Sequence, residues 1–440
     1  MKIVVIGANA AGMSAASRIK RKEADSRVVV LEATQEVSYG ACGLPFYIAG
    51  LNNDLDLVRI RSVADFEKSG IVMRTGYKVE GIDFATKTVF GTTDAEHAFS
   101  ETYDRLLIAS GAAARKLNVP GADKANIFTL KTPQDAEQIR AAIERKHPRV
   151  VIIGGGAIGL ELAEACLLKK VKSLHIIEAS EQLLPGFDEE FARAAKTELE
   201  KYGVNVHLNA RVNSFTGYEA VSHVATERGG HDADVVIISI GVEPSTSFAE
   251  GLKKLPNGAI ETDTHMQTSE KDVFAAGDCA SVWSMLLKKP VYMPLGTYAN
   301  KQGRLVGDCL MGKDAPYDRA LGTVMLRCVG LEFAKTGITE AEARAAGIDA
   351  KSISVRAHSH PQYYPNACDI EIKLCYGATD RLLLGAQMMG TRDTALRIDP
   401  FAIAIDRGMT TDELGFADFG YAPPFSSVWD AVAVAANAAK

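Results

Sequence analysis

One thiol stands apart in this chain. Cys42 lies in the run Ser38-Tyr39-Gly40-Ala41-Cys42-Gly43-Leu44-Pro45. A redox dithiol spaced Cys-x4-Cys would put its second sulfur at position 47, which is Tyr47. A sulfur without that partner cannot close an internal disulfide there. Its available states are a mixed disulfide with a small thiol, a persulfide, or a sulfenic acid. The Gly-flanked setting reads as the start of a helix, which lowers a thiol's pKa and leaves the sulfur accessible. The bland alternative for a free Cys is a small buried hydrophobe. The other cysteines, at 166, 279, 309, 328, 368 and 375, read as filler; Cys279, directly after Asp278, is the least settled. No Cys-x2-Cys pair occurs, so neither a zinc site nor a disulfide framework is expected, and no residue is assigned to a metal.

Two further groups have chemical potential. Arg18, Lys20, Arg21 and Lys22 end a helical stretch. Such a run is usually a solvated helix terminus with favourable dipole contacts; near Cys42 it would also suit the phosphates of a bulky thiol. Tyr363 precedes Tyr364-Pro365, and Tyr421 sits in Gly420-Tyr421-Ala422-Pro423-Pro424-Phe425. Aromatic–proline stretches mostly pack or turn. A phenol there is also able to give a proton to a departing thiolate. His358 and His360, just upstream, read as surface residues.

The elements that must position these groups are two strand–glycine turn–helix units, residues 2–21 and 149–166. Each opens with a continuous β-branched run, as a buried parallel strand requires. In the second, Gly154-Gly155-Gly156-Ala157-Ile158-Gly159 fits G-x-G-x-x-G, with Gly154, Gly156 and Gly159 at the glycine positions. Glycines there allow the tight turn and the approach of a pyrophosphate to the helix N-terminus. Glu178 follows about 20 residues on, where an acid accepts from the adenosine ribose. An acid also repels a 2′-phosphate, so NADH is favoured, with NADPH the second choice. The first unit reads Gly7-Ala8-Asn9-Ala10-Ala11-Gly12, with Asn9 in the middle glycine position. Glu32, again about 20 residues on, restores the pattern, and the ADP half of FAD fits it best. Gly7, Ala11 and Gly12 form this turn. The strand 105–108 closes on small residues, Ala109 and Gly111 among them, and Asp278 after the strand 272–276 would hold the flavin's ribityl or phosphate region. The stretch Pro294–Asn300 precedes an apolar helix whose start would either face a flavin or carry an ordinary cap.

At 440 residues the chain suggests about three domains. With 47% hydrophobic and 24% charged residues it is ordinary globular material. A net charge of −6 argues against a general nucleic-acid binder. No apolar run reaches membrane-spanning length, and the N-terminus enters a strand at once. A reducing, cytoplasmic setting is expected. From about residue 320 the pattern changes: Ile370, Ile372 and Leu374 alternate as antiparallel strands do, 377–380 reads as a hairpin turn, and 339–346 and 393–407 have helical spacing. The fold class expected is α/β, with two Rossmann-like nucleotide-binding domains (FAD and NAD) plus a C-terminal α+β dimerisation domain. Boundaries fall at 1–113 with 244–319 for FAD, 114–243 for NAD(P)H, and 320–440 for the last.

Taken together, Ser38-x3-Cys42-Gly-Leu-Pro, Tyr363-Tyr364-Pro365 and Tyr421-Ala-Pro-Pro with Phe425 resemble the single-cysteine branch of the pyridine nucleotide–disulfide oxidoreductases. Within it the resemblance is to CoA-disulfide reductases, NADH oxidases, and persulfide and sulfur reductases, and it covers the whole chain. The resemblance implies a homodimer in which Tyr363 and Tyr421 cross to the partner's site. It makes Ser14, Arg18, Arg21 and Ser38 contacts for CoA and Asn300 a flavin contact. It implies a small thiol or disulfide substrate, with CoA as substrate or as an adduct on Cys42. The chain departs from the pattern at three places. Ala10 replaces the catalytic His of peroxidases and many oxidases; Ala41 stands where a reductase can have Asn; Trp429 stands where one can have a CoA-binding Lys. The rival activities are oxygen reduction through a sulfenic acid and electron transfer to a protein partner.

Overall fold

The computed structural model describes residues 1–440. Two five-stranded parallel sheets repeat one plan. In the first, the order runs Ile71–Thr75, Arg27–Glu32, Lys2–Ile6, Arg105–Ile108, Val273–Ala275. In the second it runs Asn205–His207, Ser173–Ile177, Arg149–Ile153, Val235–Ile238, Ile127–Thr129. The β-branched runs are central strands in both: Val4, Val5, Ile152 and Ile237 are fully buried. In each sheet the order reverses beside the strand that carries the glycine turn. A crevice therefore opens there at the strands' C-terminal ends, where open α/β sheets take ligands.

Each parallel sheet is backed by a three-stranded antiparallel sheet, residues 77–102 in the first lobe and 212–232 in the second. The chain crosses between lobes at Ala112–Ala114 and Val242–Pro244, and the two crossings pair antiparallel. No helix is long and apolar enough to cross a membrane.

The C-terminal region is α+β. Its five-stranded antiparallel sheet has the order Val324–Cys328, Leu331–Gly337, Leu383–Gly390, Asp369–Gly377, Ala350–His358. Ile370, Ile372 and Leu374 point to one face, as their alternation predicts. They pack with Ile398 and Phe401 of the helix Ile398–Asp406 and Val432 of Ala431–Ala438. The helix expected over 393–407 begins later than its pattern suggests, because Ala395–Arg397 forms a tighter 3₁₀ turn first. The helix expected over 339–346 spans Glu340–Ala345. His360, expected at the surface, is 3% exposed, with the Tyr364 ring edge-on at 5.4 Å. Cys279 is fully buried with its Sγ 3.4 Å from the Ile108 carbonyl, which makes it a core residue.

Candidate active site

The two glycine turns are the same device built twice. Gly7 and Gly154 take φ of +105° and +108°. A Cβ on Gly7 would strike the Ala109 carbonyl, and one on Gly154 the Ser239 carbonyl. A Cβ on Gly12 or Gly159 would strike the carbonyl of its own turn's first glycine. Only glycine lets each helix start so close to its sheet. The carboxylates that follow also match. Glu32 Oε2 accepts from the Ala8 N–H at 2.8 Å, and Glu178 Oε2 from the Gly155 N–H at 2.7 Å. Their Oε1 atoms accept from Thr34 and Ser180. Each acid is thus fixed beside its turn before any ribose arrives.

The helices Ala10–Lys22 and Ala157–Leu168 have no side-chain cap at Asn9 or Gly156. Ser62, Thr132, Thr339 and Thr410, by contrast, close full capping boxes on other helices. The first N–H groups of the two turn helices are left for an anion. The helix Gly296–Cys309 also lacks a side-chain cap, at Leu295, so the ordinary-cap reading of its start fails. That helix begins at Gly296 rather than after Asn300, and its composition is mixed rather than apolar. Asn300 Oδ1 accepts from Ser14 Oγ at 3.1 Å, which ties its first turn to the first turn helix. Gly111, at φ +68°, has open space where a Cβ would be. These features fit a dinucleotide in each crevice.

Cys42 is exposed, in the middle of the 3₁₀ turn Ala41–Gly43. The helix Leu44–Ala49 follows it and drives Leu44 and Ile48 into the second lobe's core, beside Ile139 and Leu160. The cysteine therefore belongs to the first lobe's chain but is anchored on the second. Tyr47, where a partner thiol would be, lies 4.6 Å under the Arg140 guanidinium, which also donates to the Tyr47 carbonyl at 3.2 Å. All seven cysteines are free. Ser38 holds φ +47° and gives its N–H to the Ala8 carbonyl, so the turn before Cys42 is built onto the first glycine turn.

The thiol's acidity differs from the sequence expectation. The cleft walls desolvate it, and the Glu161 and Asp278 carboxylates push its pKa further above the ordinary value; Lys131 acts against them. The short helix is not enough to reverse this. Glu161 comes from the second turn helix, Asp278 follows the strand Val273–Ala275, and Lys131 precedes the helix Pro133–Ile143. Lys131 Nζ pairs with Asp278 Oδ2 at 3.2 Å. Burial, with help from Glu164, raises Glu161 to about 7. Glu161 and Lys131 were not signalled by motif; the acids Glu161 and Glu164 in an otherwise apolar turn helix were the available clue. Glu161→Gln removes a charge that disfavours the thiolate. Alkylation of the reduced enzyme's Cys42 by iodoacetamide at neutral pH should become several-fold faster, with its pH profile moved down. An unchanged profile would remove Glu161 from the thiol's surroundings.

The basic cluster divides. Arg18 is held by Asp308, with Nε at 3.0 Å and Nη2 at 2.7 Å from the carboxylate. Lys20 donates to the Ser26 carbonyl at 3.0 Å and to that of Ala24. Arg21 and Lys22 are exposed. A phosphate would meet Arg21 unopposed but would compete with Asp308 for Arg18.

Tyr363 and Tyr421 hydrogen-bond hydroxyl to hydroxyl at 2.9 Å. This contact raises the Tyr363 pKa. The two rings are exposed, as are Phe416, Phe425, Val428 and Trp429 of the same C-terminal region, with Phe416 edge-on to Trp429; Tyr363 and Phe425 are each 75% exposed. So much exposed aromatic surface marks an interface.

Two crevices with the features of dinucleotide sites and one exposed, free thiol held between the lobes fit one class: a flavin- and nicotinamide-dependent oxidoreductase. Residues 1–303 match the pyridine nucleotide-disulphide oxidoreductases, and residues 327–433 match that family's dimerisation domain. The chain is 35% identical to the NAD(P)H coenzyme A polysulfide/persulfide reductase of Pyrococcus horikoshii, over 100% of this chain and 98% of the relative. It is 30% identical to an NADH oxidase of Methanocaldococcus jannaschii, over 99% and 98%. The solved NAD-dependent persulfide reductase of A. fulgidus superposes with a TM-score of 0.96 at 35% identity, over 100% of this chain and 83% of that one. The chain belongs to the pyridine nucleotide-disulphide oxidoreductase family.

Proposed function

We propose that this enzyme uses NADH and FAD to reduce a disulfide, persulfide or polysulfide of a small thiol, CoA foremost, through Cys42. The observation that carries this reading is an exposed thiol between two dinucleotide crevices whose partner position is an arginine-clamped tyrosine. FAD, when bound, relays the two electrons of the nicotinamide hydride to the Cys42 sulfur. Residues 1–113 and 244–319 hold FAD through Gly7, Ala11, Gly12, Glu32, Ala109, Gly111, Asp278 and Asn300. Residues 114–243 hold the nicotinamide nucleotide through Gly154, Gly156, Gly159 and Glu178. Residues 320–440 pair two chains into a homodimer.

The Cys42 thiolate attacks one sulfur of the substrate disulfide. A Cys42–sulfur bond forms, the substrate S–S bond breaks, and the departing thiolate takes a proton from Tyr421, with Tyr363 beside it. Two electrons originating from NADH then split the mixed disulfide and restore the Cys42 thiolate; the hydride's proton and one from solvent leave the second substrate sulfur as a thiol and Tyr421 reprotonated. Ser14, Arg18, Arg21 and Ser38 line the approach of the bulky thiol, with Arg21 the cation that has no competing carboxylate. Seven free cysteines suit a reducing compartment such as the cytoplasm.

The test is the mass of the purified, unreduced protein, joined to turnover assays. An adduct of CoA mass on Cys42, with anaerobic NADH oxidation driven by CoA disulfide or persulfide, is expected. An added oxygen on Cys42, with NADH-dependent oxygen uptake as the main turnover, would replace this reading by the oxidase one, which the M. jannaschii relative favours.

Glu178 sets the nucleotide choice. In Glu178→Ala, kcat/KM for NADH should fall about 10- to 100-fold, the value of a charged hydrogen bond, while NADPH loses less. Stopped-flow reduction with each nucleotide measures this. Equal losses would show that Glu178 does not read the ribose.

A further inference from the structure

Three histidines that no motif joined converge in the second lobe. His175 lies on the strand Ser173–Ile177, His207 on Asn205–His207 and His231 on Gly229–Asp232. In the parallel register Ile177 faces His207, so His175, Ile177 and His207 share one side of the sheet. Ile177 packs there with Val224, and Val224 is the register partner of His231. All three imidazoles therefore enter the seam between the parallel sheet and its antiparallel backing.

One nitrogen from each ring can be chosen so that all lie within 4.8 Å of one another. The rings of His175 and His207 are nearly parallel, 9° apart with centroids at 5.3 Å, and His231 lies 4.2 Å from His207. The hydrogen bond between His175 Nδ1 and His207 Nε2, at 3.0 Å, joins only two of the three. Burial lowers all three imidazole pKa values, and neighbouring imidazoles lower those of His175 and His231 further, His231 to about 4. Neutral imidazole, the form that coordinates metal, is the ordinary state of a histidine side chain above its pKa. The nearby Asp232 is paired with Arg149 and His223.

We propose that His175, His207 and His231 form a three-imidazole site for a divalent transition-metal ion of the zinc class, with a fourth position left to water. Imidazole suits zinc, copper and nickel, and three His ligands about 2.0–2.1 Å from zinc need only small ring movements from these separations. The ion would pin the edge strand to the backing sheet. It would also sit close to the nucleotide site in the chain, because the His207 carbonyl accepts the Glu178 N–H at 2.9 Å.

The test uses the tag-free FAD holoprotein carrying Cys42→Ser, which removes the exposed thiol as a competing ligand. Equilibrium dialysis against micromolar zinc, followed by elemental analysis, should find one equivalent. His207→Asn and His231→Asn should each weaken binding at least about tenfold. Cobalt added to the protein with all three histidines intact should give visible bands of a nitrogen–oxygen tetrahedral site, a reading that does not depend on the variants folding. Zinc should raise the melting temperature of that protein as well. No bound zinc, unchanged affinity in both His variants, or a cobalt spectrum of thiolate type would each overturn the site.

Discussion

Cys42→Ser should lower turnover on CoA disulfide or persulfide by at least about 10³-fold, as loss of a covalent nucleophile does. Serine's hydroxyl is too weak a nucleophile, and too poor a leaving group, to take the sulfur's place in either half of the cycle. The fold should not notice the change. Cys42 is exposed in a short turn whose position is set by Leu44 and Ile48 in the second lobe's core, and surface replacements of this kind stay within about 0.5 kcal/mol. FAD content and NADH affinity should match wild type. Near-normal reduction of CoA disulfide by Cys42→Ser would end the mechanism proposed here.

Tyr421→Phe should cost about 10²-fold in kcat on a disulfide substrate, the low end of what a positioned acid contributes. The hydroxyl pair at 2.9 Å also predicts that Tyr363→Phe and the double replacement will not add, since the two phenols act as one unit. The same pair tests the assembly. If Tyr421 serves the partner's Cys42, a mixture of Cys42→Ser and Tyr421→Phe chains, unfolded and refolded together, forms mixed dimers with one intact site. Activity should then return to a sizeable fraction of wild type. If Tyr421 serves its own chain's Cys42, the mixed dimer has no intact site and the mixture stays inactive.

What was legible in the sequence follows from short-range physics. A β-branched run, a glycine turn, an Ala-rich helix and an acid after the next strand are contiguous, and each residue type answers a local demand. The structure repeats that unit twice with matching φ angles and matching carboxylate contacts. The missing second thiol at Tyr47 was likewise readable by spacing alone. The direction of Cys42's acidity was not, because the groups that set it, Glu161, Asp278 and Lys131, come from three distant segments. Arg18 could not be matched to Asp308 from spacing, nor could three histidines on three strands be seen as neighbours. Those pairings depend on which helix and sheet faces meet, and the fall of charge–charge energy with distance makes them felt only after the chain has closed. The sequence by itself determined the two nucleotide turns and the solitary sulfur between them; the tertiary structure alone decided the electrostatic company that sulfur keeps.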